Sequence, residues 1–138
     1  MAAHLWPIRA YFEDTDAGGI VYHANYLRWA ERARTESLRA IGLPHQLMIE
    51  RHASLLVVRR IEVEYAAPAR LDDSLVVETR VLVVRGASLD LEQRVLDADG
   101  GALRAVLKVG LVCVKAEGMR PAALPEPWRS RLRDEMNG

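Results

Sequence analysis

Residues able to do chemistry gather early in the chain, in Glu13-Asp14-Thr15-Asp16-Ala17-Gly18-Gly19 and, just after it, Val21-Tyr22-His23-Ala24-Asn25-Tyr26. Carboxylates, a hydroxyl and two adjacent glycines make a turn-prone loop, the kind of segment that commonly carries reactive side chains. A helical pattern follows at once. Its unpaired N–H groups and macrodipole favour an ionised Asp16 and can polarise a substrate carbonyl, so a base or nucleophile and an oxyanion site would lie together. Asp14, Thr15 and Asp16 equally suit an Asx-turn or a cap. His23 taken alone is as consistent with a packed or surface histidine as with a reactive one.

The surrounding elements must position this loop. Residues 8–12 read as a short first strand. From Asn25 or Tyr26 to Ile41, Leu27, Ala30, Ala33, Ser37, Leu38 and Ile41 recur at helical spacing, an amphipathic helix whose small-sided stripe lets a sheet come close. Gly42 ends it and Pro44 follows; residues 44–51 allow a second short helix. From Ser54 almost to Lys115 the period changes to that of strands. Ile61, Val63 and Tyr65 alternate with charges, as do Leu75, Val77, Val81 and Val83 with Glu78 and Arg80, so both runs should keep one wet face. Arg85-Gly86 and Asp99-Gly100-Gly101 are turn sites that make 88–96 and 103–115 antiparallel neighbours. Pairing in sequence order is the expected topology. Apolar residues on both faces of 103–114 suggest a subunit contact, and the segment from about 119 reads as a tail with a turn and a short helix. The class is α+β, one domain over 1–138: a mostly antiparallel sheet of about five strands around one long central helix.

Composition narrows the partners. The chain has 138 residues, half of them apolar, and 19 basic residues balance 19 acidic ones. That balance argues against nucleic-acid or anionic-membrane binding; any anionic ligand must be held locally. The lone Cys113 in an apolar run fits a buried hydrophobe among reduced thiols. Residues 1–7 lack a basic and apolar leader pattern, and no apolar run is long enough to span a bilayer. The expectation is a cytoplasmic protein. His45 and His52 lack metal-ligand spacing, so no metal is expected, and there is no G-x-S-x-G elbow or phosphate-binding glycine loop.

The run Phe12-Glu13-Asp14-Thr15-Asp16-Ala17-Gly18-Gly19-Ile20-Val21-Tyr22-His23-Ala24-Asn25-Tyr26, continuing into Glu31-Arg32-Ala33-Arg34-Thr35-Glu36, resembles the hotdog-fold thioesterases of the 4-hydroxybenzoyl-CoA thioesterase superfamily, and within it the YbgC-type, Tol-Pal-associated acyl-CoA thioesterases. The order of helix and strands agrees along nearly the full chain, with weaker identity after Arg51. The resemblance implies that Asp16 is the catalytic carboxylate, as nucleophile on the thioester carbonyl or as general base for water. His23 matches a histidine of the YbgC-type branch and takes a supporting role. The resemblance also implies sites shared between two subunits of a homodimer or homotetramer, with the backbone amides of Val21, Tyr22, His23 and Ala24 as carbonyl-polarising donors. Tyr22 and Tyr26 are candidate pocket walls, though core packing suits them as well. Gly18 and Gly19 let the backbone turn tightly and approach a ligand.

For coenzyme A the expected contacts are Arg59, Arg60 and Arg85, with Arg85-Gly86-Ala87-Ser88 near the nucleotide end; exposed arginines at strand ends are also ordinary solvated charges. No cofactor beyond the coenzyme A of the substrate is implied. Glu31 is either a second active-site carboxylate or the surface partner of Arg34. Against acyl-CoA hydrolysis stand a non-catalytic module that binds acyl-CoA or an acyl carrier protein and, more remotely, a hotdog dehydratase.

Overall fold

The structure, a computed structural model, describes residues 3–137. Met1, Ala2 and Gly138, the ends of the expected domain, lie outside the described residues. Along the chain run β1 (His4–Arg9), a 3-10 turn (Phe12–Asp14), α1 (Asn25–Ala40), α2 (His45–His52), β2 (Ser54–Tyr65), β3 (Ser74–Val84), β4 (Ser88–Asp97), β5 (Leu103–Lys115) and α3 (Trp128–Asn137). The first strand therefore ends before Phe12, because Phe12–Asp14 tightens into the 3-10 turn, with the Asp14 carboxylate accepting the Tyr11 N–H at 2.8 Å.

α1 spans the expected residues. Its buried side is Tyr26, Trp29, Ala30, Ala33 and Leu38, which seats it against β1 and β3. Leu27 is exposed instead, since the two large aromatics at Tyr26 and Trp29 turn the apolar stripe slightly around the axis. The helix stops where Gly42, at φ 78°, lets the Gly42 and Leu43 N–H groups fold back to the carbonyls of Arg39 and Leu38, each at 3.0 Å. This is a Schellman closure, which L side chains other than Asn disfavour at that position.

The five strands form one antiparallel sheet in the order β1-β3-β4-β5-β2. Pairing in sequence order therefore holds only for the hairpins β3-β4-β5. The two helices between β1 and β2 separate these strands in the chain, so β1 pairs with β3 at one edge and β2 with β5 at the other. β5 is thus an interior strand. Its apolar end is covered by the chain itself: Val114 bridges Pro121, the Ala122 N–H donates to the Cys113 carbonyl at 2.8 Å, and both Cys113 and Val114 are buried. The expected subunit contact is not needed to explain β5.

The C-terminal segment belongs to the core rather than hanging from it. Leu124, Trp128 and Leu132 are buried, and the Trp128 indole N–H donates to the Leu43 carbonyl at 3.0 Å, so burying this large ring leaves no unsatisfied polar atom. α3 packs against β3, whose residues beyond Thr79 have no β1 partner. A helix there protects an edge that the short first strand leaves open. No helix among the described residues is long and apolar enough to cross a membrane.

Candidate active site

The loop after the 3-10 turn closes on itself. The Asp16 N–H donates to the Ile20 carbonyl at 2.9 Å and the Gly19 N–H to the Asp16 carbonyl at 3.0 Å, while Thr15 bridges Val21. Gly19 sits at φ 78°, a conformation that glycine adopts without steric cost. The Asp16 carboxylate is exposed and one oxygen, Oδ1, accepts the Gly18 N–H at 2.8 Å. A Cβ at Gly18 would stand 3.2 Å from that same oxygen; bare glycine lets the carboxylate hold its pose. The Asx-turn and the chemical reading are thus one geometry, since the turn uses one oxygen and leaves the other free.

Four further contacts set this loop between the start of α1 and the segment leading into β3. The Asp14 carbonyl accepts both the Tyr22 N–H and the Asn25 side-chain amide, each at 2.8 Å. The Val21 N–H donates to the Ala69 carbonyl at 2.8 Å, and Ile20 bridges Arg70, so the segment leading into β3 braces the loop. Asn25 is buried and is a positioning residue that its place in the sequence run did not single out.

These bonds correct the expected donor set. The amides of Val21 and Tyr22 are already spent on Ala69 and Asp14, whereas those of His23 and Ala24 donate to no acceptor among the described residues. Ala24 is the N-cap of α1 and His23 the residue before it, at the helix end where N–H groups lack intrahelical partners and negative charge is favoured. Tyr26 is likewise corrected from pocket wall to core: it is 2% exposed, and its hydroxyl accepts the Ala69 N–H at 3.1 Å. Burial, chiefly, raises the Tyr26 phenol above its ordinary pKa, against the lowering effect of that bond. Val21 is also buried. Gly19, Tyr22 and His23 are exposed, and Ala24 is half-buried.

An aromatic group frames the opening. The Tyr22 and His23 ring centroids lie 4.6 Å apart, and Tyr65, at the end of β2, stands edge-on to His23 at 6.4 Å and to Tyr26 at 5.3 Å. The Tyr65 hydroxyl donates to the His23 carbonyl at 2.7 Å. Desolvation first, then the neighbouring Tyr26, raises the Tyr65 pKa, which keeps it a donor. The alternation of β2 groups Tyr65 with the apolar residues Ile61 and Val63, and nothing in it marks a residue that stays 46% exposed and reaches the loop.

Arg59, Arg60 and Arg85 do come together. With Asp90 and Gly110 they line one polar depression. A β-bulge in β2, between Val58 and Arg60 where it faces β5, presents two successive arginines there, which regular alternation would send to opposite faces. Arg85 donates to Asp90 at 2.8 Å and to the Ser88 hydroxyl at 3.4 Å. The hydrogen bond from Arg85 is the main reason the Asp90 pKa is lowered, with Arg60 and Arg59 adding to it. Arg60 stands 4.0 Å from Glu62, and Arg59 makes no ion pair among the described residues.

A larger cavity of about 770 Å³ lies elsewhere, along the second half of α1. Arg34 faces it and does not pair with Glu31; it turns inward and donates to Gln93 Oε1 at 3.0 Å. Buried Gln93 in turn donates to the Ala30 carbonyl at 2.9 Å and to Thr79 Oγ1 at 3.0 Å.

The chain matches the model of the thioesterase-like superfamily over residues 11–132. It belongs to that superfamily. It is 51% identical over 122 residues to the acyl-CoA thioester hydrolase YbgC of Escherichia coli, covering 88% of this chain and 89% of the relative. The acyl-CoA thioesterase YbgC of Haemophilus influenzae is 44% identical over 121 residues, 88% of each chain. Among solved structures, a probable thioesterase from Bartonella henselae superposes with a TM-score of 0.83 at 35% identity, over 90% of this chain and 100% of that one. The sheet with its helices is thus the hotdog fold of the thioesterase-like superfamily, and the loop at Asp16 falls inside the matched residues.

Proposed function

We propose that this protein hydrolyses an acyl-CoA thioester to the free acid and coenzyme A, with Asp16 as its catalytic carboxylate. The observation that carries this reading is the pair of uncommitted N–H groups at His23 and Ala24, at the N-terminal end of α1 behind the loop that presents Asp16. A carbonyl oxygen placed on them gains charge in the tetrahedral transition state, and such donors stabilise it most there. Water adds to the carbonyl carbon while Asp16 takes its proton, the C–S bond breaks, and the thiolate leaves to be protonated. In the alternative route Asp16 itself adds, releasing the thiolate and leaving an acyl anhydride that water then cleaves. His23 supports either route by orienting the carbonyl or water, or by assisting thiolate departure.

Arg59, Arg60 and Arg85 suit the phosphates of the coenzyme A nucleotide, with Ser88 beside them. β2 is twelve residues long and open on its outer side, with Val58 47% exposed. An unpaired edge of that length favours addition of a second copy, which fits a homodimer, or a dimer of dimers, whose sites are completed across subunits. Activity on a coenzyme A ester and a lone reduced cysteine fit the cytoplasm. The named activity of the YbgC relatives supports hydrolysis over a silent binding module.

The test is thiol release from a panel of acyl-CoAs by wild type and Asp16→Asn. The variant should lose about 100-fold or more in rate and still bind coenzyme A. Equal release by both would remove Asp16 from the mechanism, and binding without release by the wild type would restore the binding-module reading.

A further inference from the structure

The main chain from Val21 to Tyr26 carries the two uncommitted N–H groups between two fixed ends, and both ends meet one residue. The Val21 N–H donates to the Ala69 carbonyl at 2.8 Å, and the Ala69 N–H donates to the Tyr26 hydroxyl at 3.1 Å. Ala69 thus closes a ring around His23 and Ala24. Both bonds are shut off from water, since Val21, Tyr26 and Ala69 are all buried, and a buried N–H deprived of its acceptor costs more than the bond itself contributes.

Ala69 is itself anchored. In the segment joining β2 to β3, the Ala66 and Ala67 N–H groups donate to the Arg104 carbonyl on β5 at 2.8 and 3.2 Å, and the Asp72 N–H donates to the Ala10 carbonyl at 2.8 Å. The Asp73 carboxylate accepts the Arg70 N–H at 2.8 Å. Tyr26 is held through its ring, with Trp29 and Tyr65 edge-on to it, each centroid 5.3 Å away. That packing needs only an aromatic ring, which phenylalanine would supply. The hydroxyl is a separate provision, and its one bond among the described residues goes to Ala69.

We infer that Tyr26 is a positioning residue for the reaction: its hydroxyl, through Ala69, sets the direction of the His23 and Ala24 N–H groups that face the thioester carbonyl. Such donors act only when aimed at the place where charge develops, and a small misplacement loses much of their effect. The loss should therefore fall on kcat rather than on KM. The effect on rate rests on the hydrolytic reading; the hold on the donors does not, because it is read without turnover.

The experiment compares the full chain with Tyr26→Phe, by amide hydrogen exchange in NMR and by steady-state thiol release well below both thermal midpoints. In the wild type the Ala69 and Val21 amides should be protected. In Tyr26→Phe their exchange should accelerate about tenfold beyond any change shared by the amides of β4 and β5, which register a general loss of stability, and the His23 and Ala24 amide resonances should move. kcat should fall about tenfold at nearly constant KM. Should Tyr26→Phe not fold, Ala69→Gly keeps both bonding partners while giving the bridge backbone freedom, and should lower kcat about threefold or more. An unprotected Ala69 amide in the wild type, acceleration shared equally by β4 and β5, unchanged kcat in the folded variant, or a rise in KM alone would each overturn the inference, leaving the hydroxyl a packing group only. A wild type that releases no thiol defeats the hydrolytic reading instead, and the exchange rates and resonances still decide whether Tyr26 holds the donors.

Discussion

The Tyr65 hydroxyl donates to the His23 carbonyl at 2.7 Å, joining the last residue of β2 to the residue before the N-cap of α1 across 42 positions of sequence. It holds the peptide whose N–H points the other way, toward the proposed carbonyl site. Tyr65→Phe keeps the ring against His23 and Tyr26 and deletes only this bond. A hydrogen bond of this kind contributes about 1 kcal/mol to stability, so the thermal midpoint should fall by about 2–8 °C; because the bond holds the Ala24 peptide, kcat should also fall several-fold with little change in KM. A KM increase at constant kcat would place Tyr65 in substrate binding instead.

Gly18 gives a sharper geometric test. A methyl there would press on Asp16 Oδ1 from 3.2 Å, tighter than ordinary contact, and the neighbour that must yield is the proposed catalytic carboxylate. Gly18 is exposed and outside the positive-φ residues, so Gly18→Ala should cost less than about 0.5 kcal/mol of stability. Thiol release should nevertheless drop about tenfold or more, because a misplaced group loses much of its effect. Urea denaturation and steady-state rates on the same preparation separate the two quantities. Full activity in Gly18→Ala would mean that the Asp16 pose seen here is not the reacting one.

The arginine depression makes a prediction about which part of the substrate is read. Arg85→Ala should raise KM for an acyl-CoA about tenfold and leave KM for the matching acyl-pantetheine, which lacks the nucleotide, unchanged. Its pair with Asp90 is at the surface, and such pairs contribute about 0–1 kcal/mol, so stability should barely move. Equal effects on both substrates would show that the arginine acts through the fold and not on the nucleotide.

Much of this was legible in local sequence, and the exceptions have a common cause. α1 follows from helical spacing and ends at Gly42, as expected, because capping is decided within a few residues. The loop at Asp16 and His23 is contiguous, so its composition alone marks it. The pairing of β2 with β5 is not local: Ser54 meets Lys115 and Tyr65 meets Ala105, and turn chemistry says nothing about strands joined through no turn. The same holds at the site. Ala69 takes up the Val21 amide, Asn25 reaches back to Asp14, and Tyr65 reaches His23, all by tertiary contact, so the residues that select His23 and Ala24 as donors carry no motif. Arg34 looked like a surface charge because Gln93, the partner that draws it inward, lies 59 positions away.

His45 connects the cavity to pH. It lies half-buried at the start of α2, and burial first, with Arg34 and Arg39 adding to it and Glu31 opposing, lowers its pKa from the ordinary 6.5. The folded protein therefore resists protonating a group that the unfolded chain protonates readily. Its favourable contribution is complete above pH 6.5, where both states are neutral, and is lost as pH falls from there through the lowered folded value. His45→Gln removes this term, so its thermal midpoint should decline less than that of the wild type as pH falls from 6.5 to 5. Differential scanning fluorimetry of the two proteins in parallel measures the difference in slope. Identical slopes would mean that His45 titrates in the folded state as it does in the unfolded chain, and that Arg34 does not reach it electrostatically.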